Sequence, residues 1–172
     1  MSTILPINAA QQERVVKETL VYIHQAAKIF DRRFKPIPVL FDLSGRAAGM
    51  YKVNKKQKLI RYNPFIFSKF FDDNLAVTVP HEVAHYITDQ VFGMRQIRPH
   101  GQEWRALMAE FRADPSTTSD YDLEGIPLRT QRKHVYVCGC TSHKLSSSRH
   151  NNVVRGCARY FCRKCKDELR AG

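Results

Sequence analysis

Apolar residues return every three or four positions from about Ala9 to Phe34, at Val15, Val16, Leu20, Ile23, Ala27 and Phe30. This spacing predicts an amphipathic helix, closed by Pro36 and Pro38. The period then changes. Val39-Leu40-Phe41 reads as a short strand, and Ala47 to Val53 and Leu59 to Tyr62 as two more, joined by the polar turn Asn54-Lys55-Lys56-Gln57-Lys58. Together they predict a small three-stranded sheet. Asn63-Pro64 ends the last strand, because proline cannot donate to a ladder and pushes the preceding residue out of the helical region. Phe65 to Phe71 is apolar enough for a short core helix. Asp72-Asp73-Asn74 supplies capping chemistry for a longer one, from about Leu75 to Val91, stopping near Gly93. Pro80 falls inside that span, so the helix is either kinked there or begins later. His100 to Arg112 again has helical spacing through Trp104, Leu107, Met108 and Phe111, whereas Asp114 to Pro127 is polar and aperiodic and is predicted to be a connecting loop.

A chain of 172 residues holds one ordinary core with a small appendage. The expected division is a main domain over 1–128 and a minor module over 129–172 that contains all five cysteines. With 43% apolar residues, disorder is excluded, and no fixed-period repeat is visible. No apolar run approaches the roughly 20 residues needed to span a bilayer. The first residues, Met-Ser-Thr-Ile-Leu-Pro-Ile-Asn, lack the basic and apolar regions of an export signal. A cytoplasmic protein without membrane association is therefore expected, and in a reducing compartment an odd, clustered set of cysteines points to metal binding.

Charge changes the picture once it is divided along the chain. Residues 1–128 carry 17 Lys and Arg against 14 Asp and Glu, whereas 129–172 carry 11 against 2, so nine of the twelve net positive charges fall in the last quarter. An asymmetry of this kind favours an anionic partner, nucleic acid first.

The chemistry is concentrated in His81-Glu82-Val83-Ala84-His85. On a helix, imidazoles at i and i+4 stand on one face and can share an ion, with Glu82 about 100° round the helix and free to reach a water. Neutral imidazole suits Zn²⁺, and a general base beside an acidified water is the chemistry of peptide hydrolysis. The flanking Leu75-Ala76-Val77 and Tyr86-Ile87 are apolar, which makes a charged Glu82 costly unless it has a partner or a task. A hydrolytic site needs a third protein ligand. Six residues beyond His85 the chain offers Val91, so the candidates are His100 and Glu103. His100 is favoured because Pro99 and Gly101 flank it as a fixed loop-to-helix turn would. His24, His134, His143 and His150 are too remote in sequence to be assigned to this site, and His24 reads as a plain surface or satisfied core residue.

A second site is expected in the cysteine module. Cys162-x-x-Cys165 has the spacing of a zinc knuckle. In the first half, Cys140 and His143 have two residues between them and Cys138 and Cys140 only one. The ranked set is therefore Cys140, His143, Cys162 and Cys165, with Cys138 in place of His143 as the alternative. Two zinc ions are thus expected, one catalytic and one structural. Tyr136 and Tyr160 could serve either as core or as stacking platforms, and Phe161 is expected in the module's small core.

Val79-Pro80-His81-Glu82-Val83-Ala84-His85 is followed in order by Pro99-His100-Gly101-Gln102-Glu103-Trp104, Cys138-Gly139-Cys140, Arg149-His150-Asn151, Val153-Val154-Arg155-Gly156 and Tyr160-Phe161-Cys162-Arg163-Lys164-Cys165. Over nearly its whole length the chain thereby resembles the SprT family, the bacterial relatives of the DNA-dependent protease domain of Spartan. The resemblance implies an α+β, zincin-like metallopeptidase domain of helices plus a small sheet, with His81, His85 and His100 as ligands and Glu82 as base. A zinc-ribbon-like module is implied after it. Cys157 departs from the pattern and is expected to be a spare thiol. The function so implied is a zinc-dependent endopeptidase associated with single- or double-stranded DNA through its basic module and acting on DNA-bound or DNA-crosslinked proteins. The rival expectation is a non-enzymatic, zinc-stabilised DNA-binding or regulatory protein with a closed metal site. A third is a metal-dependent hydrolase acting on substrates other than peptides.

Overall fold

Asn8 starts the first helix, α1 (Ala9–Ile29), in the computed structural model, which describes residues 4–54, 57–117, 120–128 and 132–172. Its side chain accepts the Gln11 N–H at 2.9 Å while the Gln11 side chain accepts the Asn8 N–H at 3.0 Å, so two otherwise unpaired donors are satisfied. The helix buries Val15, Thr19, Ile23 and Ala26. It stops at Ile29 rather than Phe34 because Asp31 turns left-handed, at φ 45, and Arg32 N–H closes on Ala27 C=O.

By contact the chain divides into two units, Met1–Leu128 and Arg129–Gly172. Each unit has a small sheet, and the architecture is mixed α/β. In the first, β1 (Val39–Leu40), β2 (Gly49–Asn54) and β3 (Gln57–Tyr62) lie in the order β1-β3-β2, with β1 parallel and β2 antiparallel to β3. Lys55 and Lys56 at the tip of the predicted turn, Thr118 and Ser119 in the predicted loop, and 129–131 at the start of the predicted module lie outside the described residues.

Three helices follow. Asn63 caps α2 (Pro64–Lys69) by accepting the Phe65 and Ile66 N–H groups, with Pro64 at the first helical position, where a missing donor costs nothing. The chain then breaks at Val77 between α3 (Phe71–Ala76) and α4 (Thr78–Val91). Pro80 is therefore in the first turn of α4, and the ambiguity in the sequence resolves to a helix that begins late and needs no kink. Val79, Val83 and Ile87 on α4 are fully buried, packed with Ile60 and Tyr62 of β3, Phe67 of α2, and Trp104 and Met108 of α5 (Gln102–Glu110). The stretch predicted as a plain connecting loop is pinned back. Lys69 Nζ donates to the Asp122 carboxylate and to two loop carbonyls, Tyr121 stacks on Phe70 with centroids 4.7 Å apart, and Ile126 is buried.

In the second unit β4 (Lys133–Val137) lies between β5 (Ser142–Ser146) and β6 (Arg170–Ala171), all antiparallel, followed in sequence after β5 by α6 (Ser147–Val154). Its core is Tyr136, Leu145, Cys162 and Leu169. Four buried side chains cannot hold 44 residues in water without further help. Among the described residues no helix is long and apolar enough to cross a membrane.

Candidate metal centres

Helix α4 stacks His81 above His85 on one face. His100 reaches them from the turn before α5: Gly101 N–H closes on Arg98 C=O at 2.9 Å, Pro99 fixes the approach, and His100 itself is left-handed at φ 55. For a residue other than Gly this costs about 1 kcal/mol or more, and such strain is held where an arrangement demands it. The three Nε2 atoms form a triangle with sides of 3.2, 3.0 and 3.0 Å. Hydrogen bonding alone does not account for this, because an imidazole N–H has no in-plane lone pair left to accept with and three such nitrogens cannot satisfy one another. A cation at their focus satisfies all three. Nitrogens around a tetrahedral zinc at 2.0–2.1 Å stand about 3.3 Å apart, so the donor set fits that ion.

Electrostatics agree with the geometry. Burial, reinforced by the neighbouring imidazoles, lowers His81 to about 4 and His85 to about 3, and burial also lowers His100, so all three are neutral at pH 7, the form in which imidazole can bind a metal. Trp104, 1% exposed, packs its ring against all three imidazoles and donates its indole N–H to the His81 carbonyl at 3.3 Å. In the sequence it read as an apolar helix position at the end of the stretch Pro99 to Trp104, with no role at the site. Glu103, the other candidate third ligand, is not in this donor set.

Glu82 is buried beside the triangle, with its Oε2 accepting the backbone N–H of Tyr51 at 2.5 Å. Burial raises it to about 8, and the Tyr51 N–H pulls the other way. A divalent cation held by the histidines acts in the same direction as that N–H, favouring the carboxylate. The contact exists because residue 49 is a glycine. A Cβ there would lie 2.7 Å from both Glu82 Cγ and Oε1 and from Thr78 Cγ2. An isolated glycine in a strand pattern is a signal of close approach, and the sequence reading passed over it. Gly49→Ala should lower stability by about 1–3 kcal/mol in thermal melts, because β2 and Glu82 must part.

The cleft in front of the triangle encloses about 300 Å³, with Tyr51, Asp89, Met94 and Ile97 on its walls. A second depression of about 370 Å³, with Arg46, Val77, Ser116 and Thr117 on its rim, opens against Glu82 and His81 as well. Two depressions therefore adjoin Glu82 and His81. Asp89 accepts the Tyr51 hydroxyl at 2.6 Å and pairs with Lys58 at 2.6 Å. Burial pushes its carboxyl up, but the bonds from Lys58, Tyr51 and the Met94 N–H outweigh this and lower it.

In the second unit the structure brings together Cys138, Cys140, Cys162 and Cys165, whose sulfurs lie within 4.8 Å of one another. This corrects the ranking that placed His143 ahead of Cys138. Cys138 N–H bonds to Thr141 C=O, and this turn folds the Cys138 sulfur inward, 3.5 Å from that of Cys140. His143 is paired with Tyr136 across the sheet and stops beside the cluster, with its Nε2 3.3 Å from the Cys138 sulfur. It is not one of the cluster's four members. Sulfurs around a tetrahedral zinc at 2.3 Å stand about 3.8 Å apart, and Cys140 and Cys162 are 3.7 Å apart. Backbone N–H groups lower Cys138 to about 6 and lower Cys162 as well, whereas bonding to the Cys165 and Cys138 sulfurs raises Cys140 to about 12, so without an ion the four share protons and a metal would have to displace them. Cys157 is exposed and outside the cluster.

Around that cluster Lys144, Arg149, Tyr160, Phe161, Arg163 and Lys164 line a groove of about 470 Å³. Phe161, expected in the core, is instead 57% exposed, and Arg149 lies over the Tyr160 ring at 5.5 Å. Tyr136 is the buried tyrosine, its hydroxyl 3.0 Å from His150 Nδ1, and His150 stacks on His134 at 3.7 Å. His24 is exposed on α1.

A sequence model of the SprT-like family matches residues 19–124, the stretch that carries His81, Glu82, His85 and His100. The chain is 40% identical over 149 residues to Protein SprT of Vibrio parahaemolyticus, covering 86% of each chain. It is 36% identical over 145 residues to Protein SprT of Pasteurella multocida, covering 84% of each. To Protein SprT of Shewanella oneidensis it is 33% identical over 159 residues, covering 92% of this chain and 97% of that one. No solved structure matches the chain.

Proposed function

The chain belongs to the SprT-like family, and from that premise we propose that its first unit is a zincin-like zinc endopeptidase, directed by its basic second unit to proteins on or near DNA. The observation that carries this reading is the triangle of neutral imidazoles with a buried carboxylate held beside it. Among the described residues that donor set has three members and no fourth. This favours an open hydrolytic site over the closed structural site of a non-enzymatic protein.

His81, His85 and His100 would hold the zinc ion, which supplies Lewis acidity toward a carbonyl oxygen and acidifies a water. The protein's own residues do the rest. Glu82 takes the proton of the attacking water and returns it to the leaving amine, and its hydrogen bond to Tyr51 N–H fixes where that proton goes. The cleft and the depression against Glu82 accept the chain on either side of the cut bond, and β2, an edge strand, offers backbone groups to an extended segment. Few charged groups line this path, which suits low sequence selectivity.

The nucleic-acid half is supported by the 11 cations against 2 acids in 129–172 and by the exposed Phe161 in a groove with Lys144, Arg163 and Lys164. An exposed ring among cations suits base stacking with phosphate contact. Two outcomes are expected. Stripping the metal abolishes cleavage of a protein crosslinked to an oligonucleotide, and zinc restores it. Raising salt from about 50 to 200 mM weakens oligonucleotide binding tenfold or more, as counterion release requires. Salt-insensitive binding, or cleavage by the stripped protein, contradicts the reading.

A further inference from the structure

The turn that follows α1 gathers Arg32, Arg33 and Lys35, and Lys58 of β3 joins them around a depression of about 370 Å³ in the first unit. Among the described residues no acidic side chain lines it, and Asp31, the nearest acid in sequence, is not on its wall. Among the described residues only Lys58 of these four cations has an ion-pair partner, Asp89 at 2.6 Å. Cations left together without acids repel one another, and a structure that holds them on one wall is stabilised by an anion.

The wall is built as a frame rather than a loose fringe. Pro36 and Pro38 fix the backbone, with Ile37 buried between them. Arg32 lies over the Phe34 ring at 5.7 Å and donates Nη1 to the Gln90 carbonyl at 3.2 Å, which orients the guanidinium and leaves its other N–H groups free. The Gln90 side-chain nitrogen is itself buried, with no partner among the described residues, so the contact that Gln90 makes to the wall is its carbonyl, which holds Arg32. Guanidinium forks and ammonium groups, with Phe34, Pro36 and Pro38 as an apolar rim, suit a phosphate flanked by sugar.

We propose that this depression binds the phosphodiester backbone of nucleic acid, as a contact separate from the basic second unit. The proposal rests on the reading that nucleic acid is the partner, and it places part of the footprint on the catalytic unit itself. Lys58 is shared between the two sites, since its partner Asp89 lines the cleft and accepts the Tyr51 hydroxyl. A bound strand therefore lies one ion pair away from the cleft.

The test uses the full chain, zinc-loaded and carrying Glu82→Gln so that it does not digest itself, and follows oligonucleotide binding across a salt series. Arg32→Glu, Arg33→Glu and Lys35→Glu are combined in one variant, and Arg163→Glu and Lys164→Glu in another. The first variant should bind at least tenfold more weakly at about 150 mM salt, with the slope of log affinity against log salt reduced by about two to three. Zinc content and the thermal midpoint check its folding, and the milder Arg32→Gln, Arg33→Gln, Lys35→Gln variant should shift the slope in the same direction. If the first variant keeps the parent's affinity and slope while the second is weakened, this proposal is overturned and the partner reading stands. If neither differs from the parent, or the parent does not bind, both fall. Lost binding to polyglutamate with unchanged oligonucleotide binding overturns it in favour of an acidic protein.

Discussion

Glu82→Gln should leave zinc bound and lower the rate of protein cleavage by about 10²–10⁴-fold, the range that a positioned general base contributes. The substitution keeps the shape of the side chain and an oxygen to accept the Tyr51 N–H, so position is preserved and only proton transfer is lost. The same variant has a second readout in the zinc-free protein. Burial holds the folded Glu82 carboxyl at about 8, whereas in the unfolded chain it titrates near its ordinary 4.5. The folded state then binds this proton more tightly. The stability it contributes is fully present below about 4.5 and is lost as pH rises through about 8. Zinc-free Glu82→Gln should lack that loss, and melting curves from pH 4 to 9 would reveal it. Undiminished cleavage by the zinc-loaded variant would remove Glu82 from the mechanism.

The second large effect lies in the cysteine unit. Cys162→Ser should release one zinc ion per chain and unfold the second unit, leaving the first intact. Cys162 is both a ligand candidate and one of the four buried core residues among those described in this unit, at 3% exposure. Structural zinc contributes about 10–16 kcal/mol in small domains, far more than so small a core can replace. Cys138→Ser should behave alike, and His143→Ala should keep the ion, because His143 only touches the Cys138 sulfur. Loss of the ion from His143→Ala with retention in Cys138→Ser would restore the ranking made from spacing. Oligonucleotide affinity should fall at least tenfold in Cys162→Ser, since Phe161, Arg163 and Lys164 lose their frame.

That ranking illustrates where sequence stops being sufficient. Spacing rules describe ligands on one tight turn, and by that rule Cys140 and His143 look better matched than Cys138 and Cys140. The Thr141 carbonyl bond that turns Cys138 inward is not encoded in any spacing. The helix-borne pair was legible because two residues at i and i+4 need only a helix to meet, and helical period is a local property. Pro80 was half legible: it announced a boundary, but only the break at Val77 fixes which side of it the helix begins. His100 was legible as a candidate from its Pro and Gly neighbours, whereas its meeting with His81 and His85 depends on how α5 packs. Tyr51 and Trp104 were not legible as parts of the site. Each is an ordinary apolar-face residue in its own element, and its role arises from what lies opposite, a carboxylate for the one and three imidazoles for the other. Phe161 failed for the reverse reason: an aromatic residue next to a buried cysteine reads as core, yet β-like alternation turns it outward.

Metal analysis of the parent and of His85→Ala separates a protein with two metal sites from one with a single site. Two zinc ions per chain are expected in the parent and one in His85→Ala, with the remaining ion bound by sulfur alone in the zinc X-ray absorption spectrum. A parent that carries a single ion, retained undiminished in His85→Ala, would mean that the imidazole triangle holds no metal.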